Sequence, residues 1–178
     1  MNTKFKIIQS SPTHTGSTLL LNLIHGYLLP DEKVRLNPQE LIHNFLITKT
    51  HNTNIVFWER KYPEYKLLFI MSERNDSKVK KMINLKYREK SNVLIINYHN
   101  LLVNDNNSQS NVINYIFNKL NDFIPKELKL NIEDDLIKDN MEKRFNIVNE
   151  IVEQMKDEKF DVLDNFTGIH GSHRNRLK

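Results

Sequence analysis

The chain contains no cysteine, which excludes disulfide bonds, thiolate nucleophiles and cysteine-based zinc sites. No apolar run approaches the roughly 18 residues that a membrane-spanning helix needs. The first residues lead directly into an apolar strand pattern, without a signal-peptide core, so the expected location is cytoplasmic. Charge of one sign is also scarce. The 26 Lys and Arg are interspersed with 22 Asp and Glu, leaving a net charge of +4 over 178 residues. With a pI near 9.1, that balance admits an anionic ligand but offers no continuous basic stripe for nucleic acid. The length suits one domain spanning 1–178 with a sizeable core, and no repeat or long internal linker divides it.

The stretch around which the chain is organised is Lys4 to Leu23, KFKIIQSSPTHTGSTLLLNL. Phe5, Ile7 and Ile8 read as a short strand, a polar turn follows, and a helix begins near Gly16, Ser17 and Thr18. The first N–H groups of a helix lack internal partners and lie at the positive end of its dipole, so this arrangement can hold an anion. Gly16 allows close backbone approach, and the hydroxyls of Thr15, Ser17 and Thr18 add donors. The stretch is not a Walker A loop, because Ser11 stands at the first glycine and Ser17 at the lysine. Two readings stay open from this stretch alone, a phosphate cradle and an ordinary N-capped helix after a strand.

The pattern continues as alternating strands and helices. The first helix is apolar nearly all round through Leu28 and is stopped by Pro30; Pro38 opens a short helix through Leu41 and Phe45. Strands are expected at Phe45–Thr50, Tyr65–Met71 and Asn92–Tyr98, the last two almost continuously apolar, as in parallel strands covered on both faces. Helices are expected at Asn54–Lys61, at Ser77 to about Tyr87, at Ser110 to about Phe123, and at Ile132 to about Lys156. Asn104–Asn111 is a low-complexity loop, and the tail from Phe166 is a glycine-punctuated loop. The expected fold is therefore α/β: three layers, a mainly parallel sheet of four or five strands, flanking helices and a P-loop-like strand–loop–helix at the N-terminus. Ligands of such sheets bind beyond the carboxyl ends of the strands, here Ser10–Thr18, Lys49–His51, Ser72–Asp76 and Tyr98–His99.

The order of these segments resembles the PAPS-dependent sulfotransferases, whose sulfuryl donor is 3′-phosphoadenosine 5′-phosphosulfate. Their first loop, Pro-(Lys/Arg)-Ser-Gly-(Thr/Ser)-Thr, is similar to Pro12-Thr-His-Thr-Gly-Ser-Thr18. Lys49-Thr50-His51 matches their Lys-Thr-His segment, Leu67 to Asp76 resembles the strand that ends in their nucleotide-binding arginine, and Tyr98-His-Asn-Leu101 resembles their Tyr-Glu-Asp-Leu. Their glycine-rich C-terminal loop corresponds to Gly168-Ile-His-Gly171 with Arg174. The resemblance implies in-line transfer of a sulfuryl group from PAPS to a hydroxyl or amine, leaving PAP. His51 would act as general base, since imidazole has a reference pKa of about 6.5. Lys49 and His14 would stabilise the transferring charge. The nucleotide would be held by Thr13, His14, Thr15, Gly16, Ser17, Thr18, Arg74, Ser77 and Tyr98, with His170, Gly171 and Arg174 from the tail; Arg74 would take the 3′-phosphate.

Three departures from the family pattern stand out. His14 occupies the position of its Lys or Arg, Met82 that of the serine that helps hold the 3′-phosphate, and the chain is short between the first loop and Lys49 and again between Arg74 and Tyr98. The short connections imply a shallow acceptor site, suited to a bulky or macromolecular acceptor or completed by another subunit as a homo-oligomer. Alternative functions are a PAP-binding module without turnover and, lower, a P-loop small-molecule kinase. His170-x-x-His173 lacks a third ligand at recognisable spacing, so no metal is expected.

Overall fold

The computed structural model describes residues 4–32, 46–76, 80–155, 163–164 and 167–170. The chain is α/β, with a mostly parallel open sheet of five strands, and it groups into two compact units. The first unit holds residues 1–17 and 36–102; the second holds 18–35 and 103–178.

In the first unit, β1 (Phe5–Ser10) lies between β2 (Ile47–Thr50) and β3 (Lys66–Asn75), parallel to both. β3 is the longest strand and also pairs in parallel with β5 (Val93–Asn97). Its last residues turn to a different partner, β4 (Lys80–Lys81), in antiparallel register Arg74↔Lys81 and Asn75↔Lys80. The main order is thus β2-β1-β3-β5. The chain leaves β1 in one direction and returns on its other side, which puts a topological switch point between the carboxyl ends of β1 and β3.

Leu67, Leu68, Phe69, Ile70 and Met71 are all buried, which explains why β3 reads as an unbroken apolar run rather than an alternating one. Ile8, Leu67, Phe69 and Met71 point to one face and meet Ile55, Trp58 and Tyr62 in a shared core. Ile55 and Trp58 belong to α2 (Ile55–Lys61), whose N-terminus is capped by Asn54 Oδ1 accepting from the Phe57 N–H at 3.3 Å. Ring stacking of Trp58 on Tyr62, with centroids 6.1 Å apart, closes that core.

The expected helix at Ser77–Tyr87 is replaced, within its described part, by β4 and a single 3-10 turn at Leu85–Tyr87. Two non-local contacts account for this. Buried Glu73 accepts from the Ile83 N–H at 3.0 Å and from the Arg88 guanidinium, so the segment is tied to the end of β3. Asn84 caps the short turn through the Lys86 N–H. The helix expected to open at Pro38 lies outside the described residues.

The second unit contains α1 (Ser17–Leu28) from its second residue on, α3 (Gln109–Phe123) and α4 (Asp134–Gln154). Leu20, Leu21, Leu23, Ile24, Tyr27 and Leu28 of α1 are each at most 2% exposed, as an all-round apolar helix requires. A Cβ on Gly26 would lie 2.7 Å from the Met141 Cα, so α1 and α4 touch backbone to backbone there. Arg144, 1% exposed, donates from its guanidinium to the carbonyls of Pro30 and Glu32 beyond the end of α1. Part of the tail expected as loop is paired: β6 (Leu163–Asp164) runs antiparallel to β7 (Ile169–His170).

Candidate functional site

The alternation of strands places the site. Side chains two residues apart share a face, and the register aligns Gln9 with both Lys49 and Ile70. Extending those rows by two residues brings Ser11, His51 and Ser72 level, with Arg74 one further step along. The Ser11 N–H donates to the Thr50 carbonyl at 3.1 Å, so the ladder continues beyond the last residues of β1 and β2. Lys49, His51, Ser72 and Arg74 therefore lie on one face at the carboxyl edge of the sheet.

A hydroxyl cluster fixes the loop after β1. Ser11 Oγ accepts from Gln9 Nε2 and from the Ser72 N–H, both at 2.8 Å. Ser72 Oγ lies 3.0 Å from Ser11 Oγ and 2.9 Å from Thr15 Oγ1, and Thr15 Oγ1 donates to the Pro12 carbonyl at 2.7 Å. Ser11, Thr15 and Ser72 are completely buried, so these hydroxyls hold the loop against β3 and shape it. The loop needs two left-handed residues, His14 at φ 66° and Gly16 at φ 73°. Glycine takes that conformation without strain, whereas His14 does so at a cost of about 1–2 kcal/mol. His14 is exposed on the loop, and Ser17 opens α1 immediately after Gly16.

His51 follows β2 and is solvent-exposed. Its Nδ1 lies 2.8 Å from the Ser11 carbonyl oxygen. A carbonyl only accepts, so Nδ1 carries the hydrogen, and in the neutral ring Nε2 is then the basic nitrogen. The turn that presents His51 is anchored through the Asn52 carbonyl, which accepts from Ser10 Oγ at 2.6 Å and Trp58 Nε1 at 2.9 Å. Lys49 is largely buried on the same face.

Arg74 lies with its guanidinium carbon 4.6 Å from the centroid of the Tyr98 ring. Its Nε donates to Asp76 Oδ2 in an ion pair, while its Nη groups have no hydrogen-bond partner among the described residues. Tyr98 opens a 3-10 turn, Tyr98–Leu101, at the end of β5. The same ring backs the first loop, since a Cβ on Gly16 would lie 3.1 Å from Tyr98 Cδ2. The loop, Tyr98 and Arg74 thus form one contiguous layer.

The site residues expected from sequence divide as follows. Thr13, His14, Thr15, Gly16 and Ser17 lie on the loop and the first position of α1, joined by His51, Arg74 and Tyr98 at the same edge. Thr18 lies in the first turn of α1. Ser77, Gly171 and Arg174 lie outside the described residues, and His170 is described only by its place in β7. Ser11, Ser72 and Asp76, expected only as parts of the strand ends, join the constellation, and so does one residue not expected there, Lys81, whose Nζ donates to Thr13 Oγ1 at 2.8 Å. Lys81 could not be placed while residues 77–87 read as a helix.

Among the described residues, no three His, Asp or Glu side chains group in a way that could hold a metal, and no helix is long and apolar enough to cross a membrane. Comparison with protein-family models, with curated proteins and with solved structures finds no match.

Proposed function

We propose that this chain is a PAPS-dependent sulfotransferase, a single three-layer domain of residues 1–178 in which β1, the first loop and α1 form a P-loop-like cradle. The reading rests on the convergence of a narrow loop, a general-base candidate and an arginine on one sheet edge. Sulfuryl transfer concentrates charge on equatorial oxygens and on the leaving phosphate, so positioning and electrostatics supply most of the rate. The backbone N–H groups of the loop, with Thr13, Ser17 and Thr18, would hold the 5′-phosphosulfate. Arg74 offers its Nη hydrogens to the 3′-phosphate, and Tyr98 supports it from below.

The observation that carries the enzyme reading is the His51–Ser11 contact. It leaves Nε2 as the proton acceptor on a ring held in place by its other nitrogen. The acceptor oxygen attacks sulfur, its proton passes to Nε2, and the sulfur–oxygen bond to the phosphate breaks with its electron pair leaving on PAP. Lys49 and His14 stabilise the charge on the transferring group. The short connections suit a bulky or macromolecular acceptor, or an acceptor site completed by a second subunit.

Calorimetric titration tests the nucleotide assignment. PAP is expected to bind at least tenfold more tightly than ADP or ATP, because Arg74 recognises the 3′-phosphate. Equal affinity for all three overturns the assignment, and magnesium-dependent ATP hydrolysis would favour the kinase reading. One observation favours a second reading, a PAP-binding module without turnover: His14 is an exposed imidazole where the resemblance calls for a permanent cation. Tight PAP binding with no sulfation across an acceptor panel would establish it.

A further inference from the structure

From Ile7 to Leu28, which covers β1 beyond the buried Lys6, the first loop and α1, the sequence has no Lys or Arg. A loop meant to hold a phosphate would therefore rely on backbone dipoles and one imidazole. The structure brings a cation to it from elsewhere. Lys81 Nζ donates to Thr13 Oγ1 at 2.8 Å, across 68 residues of sequence. We propose that Lys81 of β4 is a phosphate-binding residue, supplying the positive charge that the first loop lacks; this rests on the nucleotide reading above.

The register of β4 is the second support. Lys81 is the direct cross-strand partner of Arg74, so both side chains project from the same face of the antiparallel pair. Like charges placed directly opposite each other are unfavourable in such pairs. Asp76 balances Arg74, but among the described residues no carboxylate pairs with Lys81, whose recorded partner there is the neutral Thr13 hydroxyl. An oxyanion at the loop would accept from Lys81 and relieve the repulsion with Arg74. β4 is held for this purpose by the capture of Ile83 and Arg88 on Glu73, which fixes the segment on the end of β3. Lys80, the next residue, pairs with Asn75, is exposed and points to the opposite face, so it serves as an internal control.

The test is PAP affinity by calorimetry at two salt concentrations, for the wild type and for Lys81→Ala, Lys81→Arg and Lys80→Ala. Loss of a charge-assisted hydrogen bond predicts a Kd about tenfold to a hundredfold weaker for Lys81→Ala, with a shallower salt dependence. Lys81→Arg should restore affinity to within about threefold, and Lys80→Ala should bind as wild type. A purely structural role would instead lower the melting temperature and leave the salt dependence unchanged, and that result, or wild-type affinity in Lys81→Ala, overturns the proposal. Inorganic pyrophosphate separates this inference from the nucleotide assignment. If the wild type binds pyrophosphate but not PAP, and Lys81→Ala loses it, the cation assignment stands while the sulfotransferase reading falls. If the wild type binds neither, both fall.

Discussion

Replacing Gly16 with alanine should damage stability and nucleotide binding together, through one ring. Two costs are readable from the structure. The residue sits at φ 73°, where a side chain costs about 1–2 kcal/mol. The added methyl would also lie 3.1 and 3.4 Å from the Tyr98 ring and 2.9 Å from Leu101 Cδ1. A terminal methyl can rotate away, but a ring packed against the loop must shift, and overpacking of this kind costs about 1–3 kcal/mol. The sum, roughly 2–5 kcal/mol, corresponds to a melting temperature lower by roughly 5–20 °C for a chain of this size. Because the Arg74 guanidinium rests on the same ring, its displacement should weaken PAP binding more than tenfold. A double-mutant cycle separates the two costs. In a Tyr98→Ala background the ring contact is gone, and Gly16→Ala should cost only the backbone term of about 1–2 kcal/mol. Differential scanning calorimetry of the four proteins measures the coupling. Additive effects, or a Gly16→Ala protein melting within about 2 °C of wild type, would show that the loop and the Tyr98 ring are not packed as described.

His51→Ala should lower sulfation turnover by about 10²–10⁴-fold with PAP affinity within about twofold, measured by steady-state kinetics and calorimetry; normal turnover removes the general-base role. Burial, reinforced by the Arg144 charge, lowers the His25 pKa from 6.5 to about 3. The unfolded chain therefore takes up a proton at His25 before the folded one does. The associated stability is complete above pH 6.5 and is lost progressively as pH falls towards 3, at about 1.4 kcal/mol per unit. Urea titrations should show about 2 kcal/mol less stability at pH 5 than at pH 7 from this group, and His25→Gln should remove that share of the loss.

The parts of the fold that were legible in the sequence are those set by periodicity. Residues 65–71 read as a buried parallel strand because both faces of β3 are covered, and the three-and-four spacing of Ile137, Met141, Phe145 and Val148 marks the buried stripe of α4. The segment after β3 was not legible for the opposite reason. Residues 77–87 are rich in Lys, with no proline or glycine, and suit a helix locally. The conformation of residues 80–87 is set from outside, by the pairing of Lys80 and Lys81 with the end of β3 and by the buried carboxylate of Glu73. A buried acid paired with Arg88 and a backbone N–H outweighs an intrinsic preference worth a few tenths of a kcal/mol per residue.

The site was legible one strand end at a time, and what the sequence could not supply was the relation between those ends. Arg74 and Glu73 are neighbours of opposite charge at the end of β3, so the register of that strand decides the sign of the potential at the edge. With Gln9 aligned to both Lys49 and Ile70, Arg74 falls on the face of His51 and Lys49, while Glu73 points to the other face and binds the Arg88 segment. A slip of one residue in β3 would exchange them, placing a carboxylate beside the loop and an unpaired guanidinium over the α2 core. The apolar run on β3, buried on both faces, resists such a slip only weakly, because either register buries hydrophobic side chains. The polar contacts at its end resist it strongly, since the Ser72 N–H and Oγ must both reach Ser11 Oγ, and Glu73 must reach Ile83. The buried hydroxyls of Ser11 and Ser72 therefore fix the register that puts Arg74, and not Glu73, on the face of the loop.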